Sequence, residues 1–218
     1  MIKVSDLLFH YPQGGFRLQV SSLSIQPAEK VALIGPSGSG KTTLINLLAG
    51  ILLPESGRIE IDGLDITTLP VEDRQDFRLV KMGLIFQEFG LLDYLSVLEN
   101  ICLPYRISPV LEMDDAVLSR AAGLAVDIGL GDRRLRYPEQ LSQGERQRIE
   151  VCRALVTRPA MILADEPTGN LDPDNRDQVM QQLFSYANQA DAPLVVITHD
   201  HELLPLFDRS IDIQDLAS

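Results

Sequence analysis

The chain has 218 residues, 45% of them hydrophobic, enough for one folding unit with a full core and an inserted subdomain. Its net charge of −12 opposes both nucleic acid and anionic headgroups, so a protein partner is expected and a nucleic-acid partner is not. No run reaches the roughly 18 apolar residues of a membrane span, and the N-terminal MIKVSDLLFHYPQGG lacks a signal-like apolar stretch, so a cytoplasmic chain without direct membrane insertion is expected.

Along the chain, residues 2–9 and 16–25 carry β-like runs broken by Tyr11-Pro12-Gln13-Gly14-Gly15, which predicts an antiparallel pair. Val31-Ala32-Leu33-Ile34 is a short, wholly apolar run, as in a strand buried on both faces, and feeds a glycine-rich turn and a helix over Lys41–Ala49. Similar buried strands are predicted at Gly83–Phe86, Met161–Ala164 and Leu194–Thr198, and a hairpin at Arg58–Ile61 with its Asp62-Gly63 turn. Helical patterns lie near 72–79, 96–104, 113–128, 142–157 and 173–189. Cys102 and Cys152 fall in helical stretches outside any CxxC or Cys/His cluster and read as buried thiols of a reducing compartment. The arginine-rich stretch 133–158 reads as a solvated helix face. Past His199 the pattern thins, and neither further strands nor a regulatory domain is expected.

Gly35-Pro36-Ser37-Gly38-Ser39-Gly40-Lys41-Thr42 is a complete G-x-x-x-x-G-K-[ST] match. Glycines let successive N–H groups curl towards phosphate oxygens, and the following helix offers its positive end to the same anion. Lys41 suits the β- and γ-phosphates of ATP, and the Thr42 hydroxyl suits magnesium. Met161-Ile162-Leu163-Ala164-Asp165-Glu166 is an apolar strand ending in two carboxylates. In a doubly wound sheet this puts Asp165 beside the P-loop as a magnesium ligand, and leaves Glu166 to polarise water as general base. The plainer alternative is that these acids only cap the next loop. Leu141-Ser142-Gln143-Gly144-Glu145 opens a helix, and Ser142-x-x-Glu145 also reads as a capping box.

Taken in order over nearly the whole chain, the P-loop, Gln87, this LSQGE string, Asp165-Glu166, Asp172 and His199 resemble the ATP-binding cassette ATPases. Phe86-Gln87-Glu88-Phe89-Gly90-Leu91-Leu92, Ser96-Val97-Leu98-Glu99-Asn100 and the string from Ala164 to Asp172 look like the bacterial lipoprotein-release, macrolide-export and cell-division subgroup. The resemblance implies an α/β P-loop NTPase (RecA-like) core over 1–88 and 152–218, with an N-terminal antiparallel β subdomain and a helical signature subdomain inserted at 89–151. It implies ATP and magnesium (Mg2+) as ligands, a homodimer in which each P-loop faces the signature of the other copy, and an integral-membrane permease that holds the chain on the cytoplasmic face of the inner membrane. Residue by residue, Tyr11 would stack on adenine and Gly35 to Thr43 (Gly35, Pro36, Ser37, Gly38, Ser39, Gly40, Lys41, Thr42, Thr43) would hold the nucleotide. Gln87 would contact magnesium or water, Glu166 and His199 would act on the γ-phosphate, and Leu141, Ser142, Gln143, Gly144 and Glu145 would act in trans. Asp172 would bond across the dimer or only cap its own helix.

The family's common string is LSGGQ, so Gln143 and Glu145 depart from it, and Glu145 is expected to bring negative charge towards the partner's triphosphate. Leu91, Leu92 and Leu95 are expected either to receive a permease segment or to fill the subdomain core. Rival readings are a soluble cassette, as in iron–sulfur assembly, a nucleotide-gated scaffold, and a P-loop kinase, which has no use for a signature helix.

Overall fold

The computed structural model describes residues 1–13, 15–86, 90–169 and 171–217. The chain opens with β1 (Ile2–His10) and β2 (Arg17–Ile25), antiparallel in the register Ile2↔Ile25 to His10↔Arg17. In β1 the buried positions alternate as far as Val4 and resume at Leu7, because Asp6 adopts a left-handed φ of 48° and bulges the strand. A side chain at Gly57, opposite the bulge, would collide with the Asp6 backbone.

The next elements are β3 (Lys30–Ile34), α1 (Lys41–Leu48), β4 (Ser56–Ile61), β5 (Leu64–Asp65), α2 (Val71–Lys81) and β6 (Met82–Ile85). A helical region follows: α3 (Val97–Ile101), α4 (Leu103–Ile107), α5 (Asp115–Asp127) and α6 (Gln143–Leu155). The chain then returns to β7 (Met161–Asp165), α7 (Pro173–Ala190), β8 (Leu194–Ile197) and β9 (Arg209–Asp212). The strands form an antiparallel sheet, β2-β1-β4-β5, and a parallel sheet, β6-β7-β8-β3-β9.

Every residue of β7 and β8 is buried, which is why both read as unbroken apolar runs rather than alternations. The edge strand β9 corrects the expectation that no strand follows His199. Its residues, Arg-Ser-Ile-Asp, are exposed or half-buried, so no apolar run betrays it, yet it pairs in parallel with β3 from Val31↔Arg209 to Ile34↔Asp212.

The helical region has a core of its own, built from Val97, Ile101, Ala121, Ala125, Ile128 and Leu141. Helix α6 serves two cores. Its Ile149 and Cys152 face the helical core, while Val151, Ala154 and Leu155 pack under the parallel sheet. The two thiols, Cys102 and Cys152, are buried and unbridged.

Candidate active site

In the parallel sheet the C-terminal ends of β3, β6, β7 and β8 point the same way, so the segments that follow them gather at one edge. After β3 the chain turns through Gly35 (φ 141°), Gly38 (φ 76°) and Gly40 (φ 101°) into α1. Gly40 is needed twice over, for its positive φ and because a Cβ there would come within 2.6 Å of the Phe16 ring. The Lys41 ammonium is buried and donates to the carbonyls of Gly35 (2.8 Å) and Pro36 (2.9 Å), which holds it over the loop.

A cavity of about 340 Å³ opens here, lined by Tyr11, Phe16, Ser37, Gly38, Gly40, Lys41, Thr42, Thr43, Glu166 and His199. Tyr11 is 38% exposed, meets Phe9 edge-on at 4.8 Å, and its hydroxyl lies 3.3 Å from that of Thr43, so its ring stands at the rim of this cavity. The buried Ser39 hydroxyl has no hydrogen-bond partner among the described residues. A glycine-built anion cradle, a poised ammonium and an orphaned hydroxyl fit a polyphosphate.

Asp165, the last residue of β7, is 4% exposed. Burial pushes its carboxyl up, the hydrogen bond from Thr42 pulls it down, and Glu166 raises it again against Lys41 and His199. The pair Thr42 and Asp165 suits Mg²⁺, which takes one or two protein oxygens and completes its shell with water and substrate phosphates. Gln87, the third expected ligand, lies outside the described residues. Its neighbours are held by α6: the buried Glu150 carboxylate accepts from Phe86 N (3.3 Å), and Arg153 donates to the Gly90 carbonyl (2.7 Å).

Glu166 leaves the strand with φ 50°, a left-handed conformation rarely adopted by a side-chain-bearing residue. That turn puts its Oε1 2.9 Å from His199 Nε2, so the two residues expected to act on the γ-phosphate are brought together. Its Oε2 lies beside Gly169. The loop bearing His199 is braced by Asp200, whose N–H donates to the Thr198 hydroxyl and whose carboxylate pairs with Arg176 of α7 at 2.9 Å. The other histidines lie elsewhere: His10 pairs with Glu55, and His201 is exposed.

The signature residues lie apart, and none of 141–145 lines the P-loop cavity. Ser142 is the N-cap of α6. Its hydroxyl accepts from Glu145 N, and Glu145 Oε2 accepts from Ser142 N at 2.8 Å, so the capping box is real. Leu141 is buried in the helical core, Gln143 is exposed, and Gly144 is buried against Asn175. Glu145 corrects the charge argument drawn from the sequence: its other oxygen pairs with Arg133, so the carboxylate is neutralised within its own chain. Asp172 caps α7 through Asn175, whose side-chain and backbone N–H donors hold its carboxyl below the usual range. Sequence reading missed Arg133, Glu150, Arg153, Asn175 and Arg176, because each acts through a partner distant along the chain.

Residues 18–169 match the ABC transporter family. The chain belongs to that family. An ABC transporter ATP-binding protein of Mycobacterium tuberculosis is 40% identical over 98% of this chain and 87% of its own length. The lipoprotein-releasing system ATP-binding protein LolD of Syntrophus aciditrophicus is 38% identical over 99% of this chain and 97% of its own. Among solved structures, the cassette MJ0796, a dimer in a post-hydrolysis state bound to ADP and Pi, superposes with a TM-score of 0.87 at 31% identity, covering 97% of this chain and 94% of that one. The cassette is thus an ATP-binding, ATP-hydrolysing α/β protein of the ABC type, as its motifs imply.

Proposed function

We propose that this cassette works as a magnesium-dependent homodimer that drives an integral-membrane permease, in a lipoprotein or other envelope-directed export system. The observation that carries the reading is a separation. The P-loop, Glu166 and His199 share one cavity, with Asp165 held beside it by Thr42, while Ser142 and Gly144 open α6 elsewhere, with their helix start free of that cavity. A helix N-terminus suits a γ-phosphate, so the signature serves a nucleotide held by a second copy. The solved dimer of a related cassette with ADP and Pi supports this arrangement, and the LolD relatives support the export reading.

In the closed dimer, Lys41 and the loop N–H groups neutralise the triphosphate, and Thr42 and Asp165 would hold magnesium, which would supply positive charge against the phosphate oxygens. Water attacks the γ-phosphorus in line, the bond to the bridging oxygen of ADP breaks, and the water proton passes towards Glu166 Oε2. His199 holds Oε1 and so fixes the carboxylate in place. Loss of the γ-phosphate removes the anion that the partner's Ser142 turn binds, and the dimer reopens.

The seat for the permease is a groove of about 250 Å³ between core and helical region, lined by Leu79, Met82, Leu84, Phe86, Leu103 and Ile107 together with Arg78 and Arg153. Among the described residues no helix is long and apolar enough to cross a membrane, and placement on the cytoplasmic face follows from the permease. Sedimentation of Glu166→Gln with Mg-ATP tests the reading: a dimer that appears only with nucleotide supports it, and a permanent monomer, alone and with the permease, rejects it. A soluble, non-transport cassette would dimerise equally but leave every membrane protein behind on purification.

A further inference from the structure

The two segments proposed to face the second copy, the Ser142 turn and the Asp172 loop, are joined within one chain through the side chain of Asn175, in the first turn of α7. Its amide nitrogen donates to Asp172 Oδ2 at 2.5 Å, and its backbone N–H donates to Asp172 Oδ1 at 3.1 Å. Its amide oxygen accepts from the Arg148 guanidinium, one and a half turns into α6. The same amide lies flat against Gly144. A Cβ there would come within 2.9 Å of Asn175 Cγ and 3.1 Å of its nitrogen and oxygen. Gly144 is not among the residues with positive φ, so its backbone conformation does not demand glycine, but this contact does.

We infer that Asn175 is a positioning residue that locks the start of α7 to the start of α6, so that Asp172 and the Ser142–Glu145 turn meet the second copy as one body. The inference rests on the proposed dimer. The chemistry needs a carboxamide. A donor must face the Asp172 carboxylate and an acceptor must face the Arg148 cation, with both groups on one short planar head. Aspartate would oppose Asp172, and alanine would leave Arg148 and Asp172 unlinked across a gap. Burial lowers the Arg148 guanidinium while Asp172 raises it, and the hydrogen bonds on either side of the amide link the two charges through it.

The test uses the full chain in the Glu166→Gln background. Mg-ATP-driven dimerisation is measured by sedimentation, and ATP affinity by a fluorescent nucleotide at concentrations where the chain is monomeric. Asn175→Ala and Asn175→Asp are each expected to weaken the dimer about tenfold, with monomer ATP affinity and thermal midpoint little changed, because the Asp172 cap survives through the backbone N–H. Asn175→Gln is expected to recover part of the loss. Parent-like dimerisation of both variants would overturn the inference and leave the dimer standing. An equal fall in monomer ATP affinity would also overturn it, by making Asn175 merely structural. Failure of the Glu166→Gln parent to dimerise would instead remove the dimer reading itself.

Discussion

Arg133 meets Glu145 on the side of its carboxylate that the capping box leaves open, so both oxygens of this signature residue are engaged within its own chain. An acid where the family's common string has glutamine therefore does not project bare charge at a neighbouring triphosphate. The side chain is 12% exposed, against 42% for the arginine that covers it.

From this pairing, Glu145→Gln should change ATP-driven dimer affinity by less than about twofold, since glutamine can still accept from Ser142 N and the charge removed was already compensated. Glu145→Ala should cost about 1 kcal/mol of stability by deleting the cap. Urea unfolding and sedimentation of the two variants check both. A marked rise in dimer affinity for Glu145→Gln would show that the carboxylate is felt across the interface after all.

Glu150 gives a pH prediction. It is fully buried on α6, and burial pushes its carboxyl up to about 8 against the pull of Arg153, Phe86 N–H and Gln147. A carboxyl raised above its unfolded value contributes stability that is complete below the ordinary carboxylate range and is lost as pH rises through about 8. Stability should therefore decline from pH 5.5 to 8.5, by at most about 1.4 kcal/mol per pH unit from this group. The Glu150→Gln variant should show a flatter profile in urea unfolding. Identical slopes would assign the pH dependence to other groups.

The Glu166–His199 pair predicts a split between binding and chemistry. His199→Ala should leave ATP affinity within a few-fold, because the P-loop cradle is untouched, and should lower turnover about a hundredfold or more by releasing Glu166 Oε1. Single-turnover hydrolysis and nucleotide titration separate the two. Lost affinity with unchanged turnover would make His199 a binding residue only.

At the P-loop, Gly40→Ala should abolish nucleotide binding and cost about 1–3 kcal/mol, since it combines a left-handed backbone with a clash on Phe16. Trimming Phe16 to alanine in the same chain should recover part of the stability, as it relieves the clash and not the backbone. A thermal-shift series reads both effects.

The parts of the fold legible in the sequence are those set by local pattern. Unbroken apolar runs marked β3, β7 and β8 because these strands are buried on both faces, and glycine spacing marked the phosphate turn because only glycine takes those φ values. β9 escaped because an edge strand with exposed or half-buried residues carries no apolar run. The bulge at Asp6 escaped because a slipped alternation looks like a weak strand rather than a special backbone. Polar links were the least legible. Arg133 and Glu145 are 12 residues apart, Arg148 and Asn175 are 27, and Phe86 and Glu150 are 64, and no local spacing rule pairs such groups. Hence Glu145 was identifiable as a cap but not as a neutralised one, and Asp172 as a cap but not as one end of a relay.

The central claim is that one copy's P-loop is completed by another copy's signature turn, and mixing two dead variants tests it most directly. Lys41→Ala lacks the phosphate-binding ammonium and Ser142→Ala lacks the signature hydroxyl, so each alone should hydrolyse almost no ATP. In an equimolar mixture, half the dimers pair one variant with the other and hold one intact site, so about a quarter of wild-type turnover should return. A mixture as inactive as its components would contradict the account, because it would mean that both groups must belong to the same chain.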